Sequence, residues 1–266
     1  MLSVHMRSVH RITAAAAIAI VGALSLGSIG AQLAGAEEAA PKPQAYKPVA
    51  IQLPQPVQDP SFAAFRQQLA DIAKRKDRAA LAKIVTGNFF WLTDDGKDIA
   101  LQGRPGIDNL TRALYLDNPN TEGWDILATF AGDATGDPAP ERKGVICAPG
   151  EPKLDNAAAQ ALGDATGTSS AFWYYPAKEG VEVRSAATPN SAVTGKLGMH
   201  LVWVHPDLSP SAAVHTETVR IVLPSGQFGF VASEALLPLP NDLLCYAKNG
   251  DTWQIAGFFG GMPPVK

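Results

Sequence analysis

The two cysteines are the residues whose chemistry is easiest to infer from this chain. Cys147 and Cys245 are its only cysteines, and an even pair in an exported protein predicts a disulfide. The bridge would close a loop of about 100 residues, worth roughly 4 to 5 kcal/mol in the chain-entropy model. Its Cα atoms should lie about 4.4 to 6.8 Å apart. Two buried free thiols are the alternative, and no His lies near Cys147 in the sequence to support a catalytic thiol.

Acidic residues cluster twice, and neither cluster has the spacing of a known site. Asp94, Asp95 and Asp98 lack the alternating ligands and the terminal Glu of a calcium loop, so they predict a solvated turn. Glu122 and Asp125 could be paired carboxylates for glycan hydrolysis, but no pattern ties them to a cleft. We expect them instead near a helix N-terminus, where acidic residues are favourable.

Metal, cofactor and nucleic-acid sites have no support in the sequence. His200, His205 and His215 do not have zinc-ligand spacing, and the glycine-rich phosphate-binding motifs are missing. A formal net charge of −3 gives no basic face for nucleic acid. We therefore expect no metal, no cofactor and no catalytic residue.

The N-terminus has the pattern of a secretory signal peptide of bacterial type. Arg7 and Arg11 precede an apolar stretch, residues 13–29, and Ala34-Gly35-Ala36 fits a cleavage site before Glu37. This predicts a signal peptide over residues 1–36 and a periplasmic protein. The alternative is an uncleaved N-terminal anchor. No other segment is apolar enough to cross a membrane, so none is expected in the mature chain.

The elements that must position these residues change character along the chain. Proline recurs through residues 37–60, which predicts an extended linker. Residues 61–170 then predict a mainly helical domain, beginning with a helix whose apolar face is Phe62, Phe65, Leu69 and Ile72. A second helix is expected over residues 78–85, capped by Asp77 and stopped by Gly87. The opening of this domain also resembles NTF2-like folds, although residues 121–170 do not supply their long curved strands.

The C-terminal part predicts β-structure. Within residues 171–240, short alternating segments are separated by Gly, Pro, Asn and Ser, which is typical of a small barrel. Residues 241–266 predict a hairpin around Asn249-Gly250 that packs on the barrel or on the helical part. The fold class is therefore α+β: a helical N-terminal domain, a small barrel and a C-terminal β-hairpin.

The barrel segment resembles a bacterial SH3-like (SH3b) domain over about sixty residues. That family combines a V-x-V-R strand, a loop with Pro, several valine-rich strands and a G-x-x-G hairpin. Thr218 stands where the family usually has Trp, and Phe230 where it has Trp or Tyr. From Ser61 onwards the chain is also similar to exported proteobacterial proteins that pair a helical region with such a barrel. The matching residues are Val181, Val183, Arg184, Pro189, Ser191, Val193, Leu197, Val202, Val204, Ile221, Gly226, Gly229, Phe230, Val231 and Leu236 or Leu237.

The resemblance implies a protein that binds and does not catalyse. SH3-type barrels hold extended ligands on aromatic side chains, so Trp203, Phe228 and Phe230 are the expected ligand-binding residues. The partner would be cell-envelope material, either peptidoglycan peptide or an envelope protein. Val202 and Val204 match core positions of the family, and strand alternation puts Trp203 on the opposite face, so the resemblance implies that Trp203 faces outward or toward the helical part.

Two alternatives stay open. One is an envelope hydrolase, or an accessory of one, with a site at the domain junction near Trp91, Trp124 and Trp173. The other is a structural adaptor without a ligand, in which the barrel packs on its own helical half.

Overall fold

The computed structural model describes residues 43–119, 122–139, 142–188, 190–205, 217–239 and 241–260. The predicted signal peptide, residues 1–36, lies outside the described residues. The described helices are α1 Pro60–Arg75, α2 Arg78–Ala82, α3 Gly106–Leu114, α4 Gly123–Gly132 and α5 Asn156–Thr166. The described strands are β1 Ile51–Gln52, β2 Val85–Leu92, β3 Asp137–Pro138, β4 Val145–Ala148, β5 Lys153–Leu154, β6 Trp173–Pro176, β7 Glu182–Arg184, β8 Val193–Lys196, β9 Val202–Val204, β10 Thr218–Val222, β11 Phe228–Ala232, β12 Leu236–Pro238, β13 Leu243–Asn249 and β14 Thr252–Phe259.

Helix α1 forms where local signals agree. The Asp59 carboxylate caps the helix by accepting a hydrogen bond from the Ser61 backbone N–H at 2.8 Å, and the helix begins at Pro60, one residue before the predicted start at Ser61. The same carboxylate pairs with Lys248 of β13 at 2.7 Å, which ties the start of the helix to a strand. The Lys248 ammonium, together with the Ser61 hydroxyl, holds the pKa of Asp59 well below its usual range. The four predicted face residues, Phe62, Phe65, Leu69 and Ile72, are all buried.

Helix α2 is shorter than predicted. Asp77 caps it as expected, accepting from the Ala80 N–H at 2.9 Å, but the helix ends at Ala82 and the predicted stop at Gly87 is wrong. The chain has already entered β2 at Val85. The physical reason is that β2 pairs with β14, at the far end of the sequence, and pairing with a partner so distant leaves no local signal.

A five-stranded sheet unites the predicted helical domain with the C-terminal hairpin. Its order is β2-β14-β13-β4-β3, and β2 runs parallel to β14 while the other neighbours are antiparallel. The residues of α1, α3 and α4 that face one side of this sheet form the largest core, with Trp91, Tyr246 and Phe258 as its central aromatics. The hairpin is therefore part of the core of the N-terminal region.

A seven-stranded sheet, in the order β12-β6-β9-β10-β11-β7-β8, holds the segment predicted as a barrel. One of its cores joins Leu236 of β12 with Val183 of β7, two strands far apart in the strand order. The sheet must curl around this core to bring them together. Among the described strands, no pairing between β12 and β8 closes the sheet.

The described part of the predicted linker is extended and packed. We call residues 43–58 the N-terminal strap. Tyr46, Val49 and Ile51 bury their side chains, and β1 pairs with β5. The strap differs from a free linker because apolar residues lie between its prolines and pack into the core. The mixture of packed helices and sheets confirms the α+β class.

Candidate functional site

The predicted disulfide is confirmed. Cys147 in β4 and Cys245 in β13 are bonded, and both are buried. Their Cα atoms are 4.0 Å apart, below the expected range. The two residues face each other directly on neighbouring antiparallel strands, an arrangement in which Cα atoms approach to about 4.5 Å. The bridge joins the predicted helical domain to the C-terminal hairpin, on the sheet face away from the helices.

Trp203 is fully buried. Val202 and Val204 lie in the inner core of the curled sheet, as strand alternation predicts, while Leu201 and Trp203 face the opposite side. On that side the strap and α5 cover them, with Tyr46 and Leu162 in the same core. Trp203 thus packs within the molecule and is not an exposed anchor.

An aromatic ladder leads from this core to the surface. The ring of Trp203 lies 6.2 Å from that of Trp173 and 6.0 Å from that of His205. His205 in turn meets Phe228 edge to face at 5.2 Å. Phe228 is 44% exposed, and Phe230, two residues along the same strand face, is half-buried. The structure therefore brings Trp203 and Phe228 into one cluster but leaves only the Phe228 end open to solvent.

A cation completes the exposed end of the ladder. The Arg220 guanidinium stands over the Phe228 ring at 4.8 Å and donates to His205 Nδ1 at 3.2 Å. Since arginine can only donate, His205 Nδ1 is the acceptor in this contact. An aromatic edge beside a cation can bind a ligand.

The other residues considered from the sequence do not converge. Trp91 and Trp124 belong to the core under the helices, whereas Trp173 belongs to the core under the strap. Asp98 Oδ1 accepts from the N–H groups of Trp91 and Ala100, which closes a turn. Within the described ranges, no three His, Cys, Asp or Glu side chains group closely enough to hold a metal ion. In the same ranges, no helix is long and apolar enough to span a membrane.

A groove on the five-stranded sheet was not predicted from the sequence. It opens on the face away from the helices and holds about 730 Å³. Its floor is Phe90, Val145, Ala247 and Ala256, and we call it the sheet groove. Its residues come from β2, β4, β13 and β14, and Arg142 and Lys143 come from the loop before β4. Only the long-range strand pairing assembles the groove, and no short motif marks it.

We found no match to this chain among protein-family models, curated proteins or solved structures.

Proposed function

We propose that this chain is a non-catalytic periplasmic protein that binds cell-envelope material, either a peptidoglycan peptide or an envelope protein, through an SH3-like (SH3b) barrel. The observation that carries the proposal is the exposed Phe228 ring, held between Arg220 and His205 at the end of a buried aromatic ladder. An exposed aromatic side chain on a rigid base is a typical anchor for an extended ligand.

Packing of the seven-stranded sheet supports the barrel in this proposal. The core around which the sheet curls contains most of the valines, leucines and isoleucines that match the SH3b strands. The structure also explains why glycine is needed at both Gly positions of the G-x-x-G hairpin, Gly226 and Gly229. A Cβ on Gly229 would lie 2.5 Å from Val183 Cγ1, and Gly226 has a φ of +82° with the strap backbone 2.8 Å from its Cβ position.

The disulfide supports the periplasmic location. Structural disulfides persist in oxidising compartments such as the periplasm and are rare in the cytosol. Cys147 and Cys245 are both buried in this bridge, which agrees with the signal-peptide pattern of residues 1–36.

Substitution of Phe228 tests the proposal. Mature wild-type protein and Phe228→Ala should be incubated with purified peptidoglycan sacculi, and separately with periplasmic extract. Loss of an aromatic anchor costs about 2 kcal/mol or more, so we expect binding to one preparation to weaken roughly 30-fold. Melting should change less than binding, because the side chain is 44% exposed.

Leu237→Ala is the matched control. Leu237 is 38% exposed on β12 of the same sheet, so its removal should leave binding intact. The proposal is contradicted if Phe228→Ala binds like wild type, or if both substitutions weaken binding equally.

The structural adaptor is a second candidate, favoured by the complete burial of Trp203 beneath the strap. In that case the aromatic ladder only packs the molecule together. Wild-type protein would then bind neither sacculi nor any component of the extract.

A further inference from the structure

Arg142 is held in the sheet groove by a stack of three layers. Its guanidinium lies 3.8 Å from the centroid of the Phe90 ring. The ring lies directly on the backbone of Gly257, where an added Cβ would come within 2.4 Å of it. One face of the guanidinium is thus fixed against an aromatic ring, and 37% of the Arg142 side chain is exposed to solvent.

The guanidinium N–H groups are only weakly engaged. The one ion pair of Arg142 within the described residues is to Asp98, with 3.7 Å between Nη2 and Oδ2. That distance is too long for a hydrogen bond, and the other oxygen of Asp98 is occupied by two backbone N–H groups. A planar guanidinium fixed in this way is suited to a carboxylate, which it can bind through two parallel hydrogen bonds.

The rest of the groove has the polarity of a peptide site. Lys143 adds an exposed second cation, while the Lys248 ammonium is turned away to Asp59. Within the described residues, the side-chain amides of Asn88, Asn249 and Gln254 on the groove wall make no hydrogen bond to the protein. Amides both donate and accept, as peptide groups do.

Size and charge define the ligand further. The small floor residues Ala247, Ala256 and Val145 leave room for short side chains. The described lining residues include Arg142, Lys143 and Lys248 but no Asp or Glu, and the carboxylate of Asp98 lies 3.7 Å from Arg142. With Asp98 set against Arg142 and Asp59 against Lys248, Lys143 leaves an excess of positive charge. Both features suit an acidic peptide with small side chains.

We propose that the sheet groove is a binding site for a short acidic peptide, with Arg142 holding one of its carboxylates through paired hydrogen bonds. The site lies on a different sheet from Phe228 and does not rest on the function proposed above.

The test measures fluorescence anisotropy of a short labelled peptide in which Glu and Ala alternate, against a matched peptide of Gln and Ala. The full mature protein is used. We expect the Glu peptide to bind and the Gln peptide to bind far more weakly. Arg142→Gln should weaken binding roughly 10- to 100-fold, as for the loss of charged hydrogen bonds. Arg142→Lys keeps the positive charge but loses the planar guanidinium and its paired hydrogen bonds. Its affinity for the Glu peptide should therefore lie between those of the wild-type protein and Arg142→Gln.

Two further variants keep the test sharp if Arg142→Gln disturbs folding. Asp98→Asn still accepts the two backbone hydrogen bonds but removes the competing charge, so it should bind the Glu peptide more tightly. Arg104→Gln, at an exposed turn position, is the charge-matched control and should leave binding unchanged.

Several results would overturn the proposal. These are equal binding of the Glu and Gln peptides, unchanged binding by folded Arg142→Gln, or unchanged binding by Asp98→Asn. Binding of a sulfated polysaccharide or of anionic lipid vesicles in place of the Glu peptide would also overturn it. Phe228→Ala should not affect this assay, which separates its outcome from that of the sacculus experiment.

Discussion

Tyr246 places a hydroxyl in the centre of the largest core. It has no exposed surface, and its ring packs edge to face with Phe62 at 5.1 Å and Phe65 at 5.8 Å. Among the described residues its hydroxyl has no hydrogen-bond partner. Burial raises the pKa of Tyr246, because the phenolate would lose its hydration, and the nearby Arg66 only partly opposes this.

Removing that hydroxyl should not harm the protein at neutral pH. Tyr246→Phe keeps the ring and deletes an unsatisfied polar group, so we expect an unchanged free energy of unfolding or a gain of about 1 kcal/mol. A loss larger than about 1 kcal/mol in urea titrations would show that the hydroxyl is engaged in the folded protein. Tyr174→Phe, on a half-buried ring, is the control for the chemical change.

Tyr246→Phe should also change how the free energy of unfolding depends on pH in alkaline solution. An unfolded tyrosine ionises near pH 10, whereas the folded pKa of Tyr246 is raised. The unfolded state therefore loses its proton first, and stability falls as pH rises above about 10. Tyr246→Phe should make this fall shallower. It should not abolish it, because burial also raises the pKa of Tyr46, and that of Tyr175 to about 12.

At the residue scale, a contact could be predicted from the sequence where a side chain had few possible partners. With two cysteines, Cys147 and Cys245, one intramolecular pairing exists, and it is the one observed. The stack of Arg142 on Phe90 could not be predicted, because it forms only after β2, β14 and β13 align. The sequence left open whether Trp203 faces outward or toward the helical part, because its burial depends on what the strap and α5 cover.

At the scale of elements, the strap covers the face that the sequence suggested for ligands. The Tyr46 hydroxyl donates to the Val222 carbonyl at 3.0 Å, and its ring meets Trp173 edge to face at 5.3 Å. Further along, the Ile51 N–H donates to the Met199 carbonyl. The strap thus completes this core, in the manner of an added strand.

Replacing Tyr46 tests how much the strap contributes. Tyr46→Ala deletes the hydroxyl contact and a buried aromatic ring, for which losses of roughly 3 to 5 kcal/mol are typical. Water should then reach Trp173 and Trp203, so tryptophan emission should move to longer wavelengths. Lys47→Ala, at the exposed neighbouring position, should change neither quantity. Identical melting and emission for the two variants would contradict a packed strap.

Elements were predictable where their signals are local. Helix α1 combines a capping Asp59 with an apolar face, and both features are present in its own sequence. The hairpin of β13 and β14 is marked by Asn249-Gly250 between two β-rich segments. By contrast, β2 takes its conformation from pairing with β14. The residues near β2 in the sequence do not indicate that pairing.

At the scale of the whole molecule, the chain returns to complete its first core. Strands β13 and β14 supply Leu244, Tyr246, Ile255 and Phe258 to the core that the early helices cover. Between the two contributions the chain builds the entire seven-stranded sheet, from β6 to β12. The order of segments along the chain did not indicate that β13 and β14 pack with the early helices. That order suggests instead that consecutive segments form separate units.

The disulfide links the two parts of the chain that form this core, through β4 and β13. Cys147 precedes the seven-stranded sheet and Cys245 follows it, with a sequence separation of 98. In the unfolded chain the bridge therefore constrains a loop that contains that whole sheet. The chain-entropy model assigns a loop of this length about 4 to 5 kcal/mol, a large fraction of the 5 to 15 kcal/mol that stabilises an ordinary domain.

Deleting the bridge should therefore lower stability by roughly 4 to 5 kcal/mol. The double variant Cys147→Ala/Cys245→Ala and reduced wild-type protein should unfold at similarly lower urea concentrations, since both lack the constraint on the unfolded chain. Reductant should not affect the double variant, which makes it the control for direct effects of the reagent. Denatured, unreduced wild-type protein should contain no titratable thiol. Two free thiols per chain, or equal stability with and without reductant, would contradict the role assigned to the bridge.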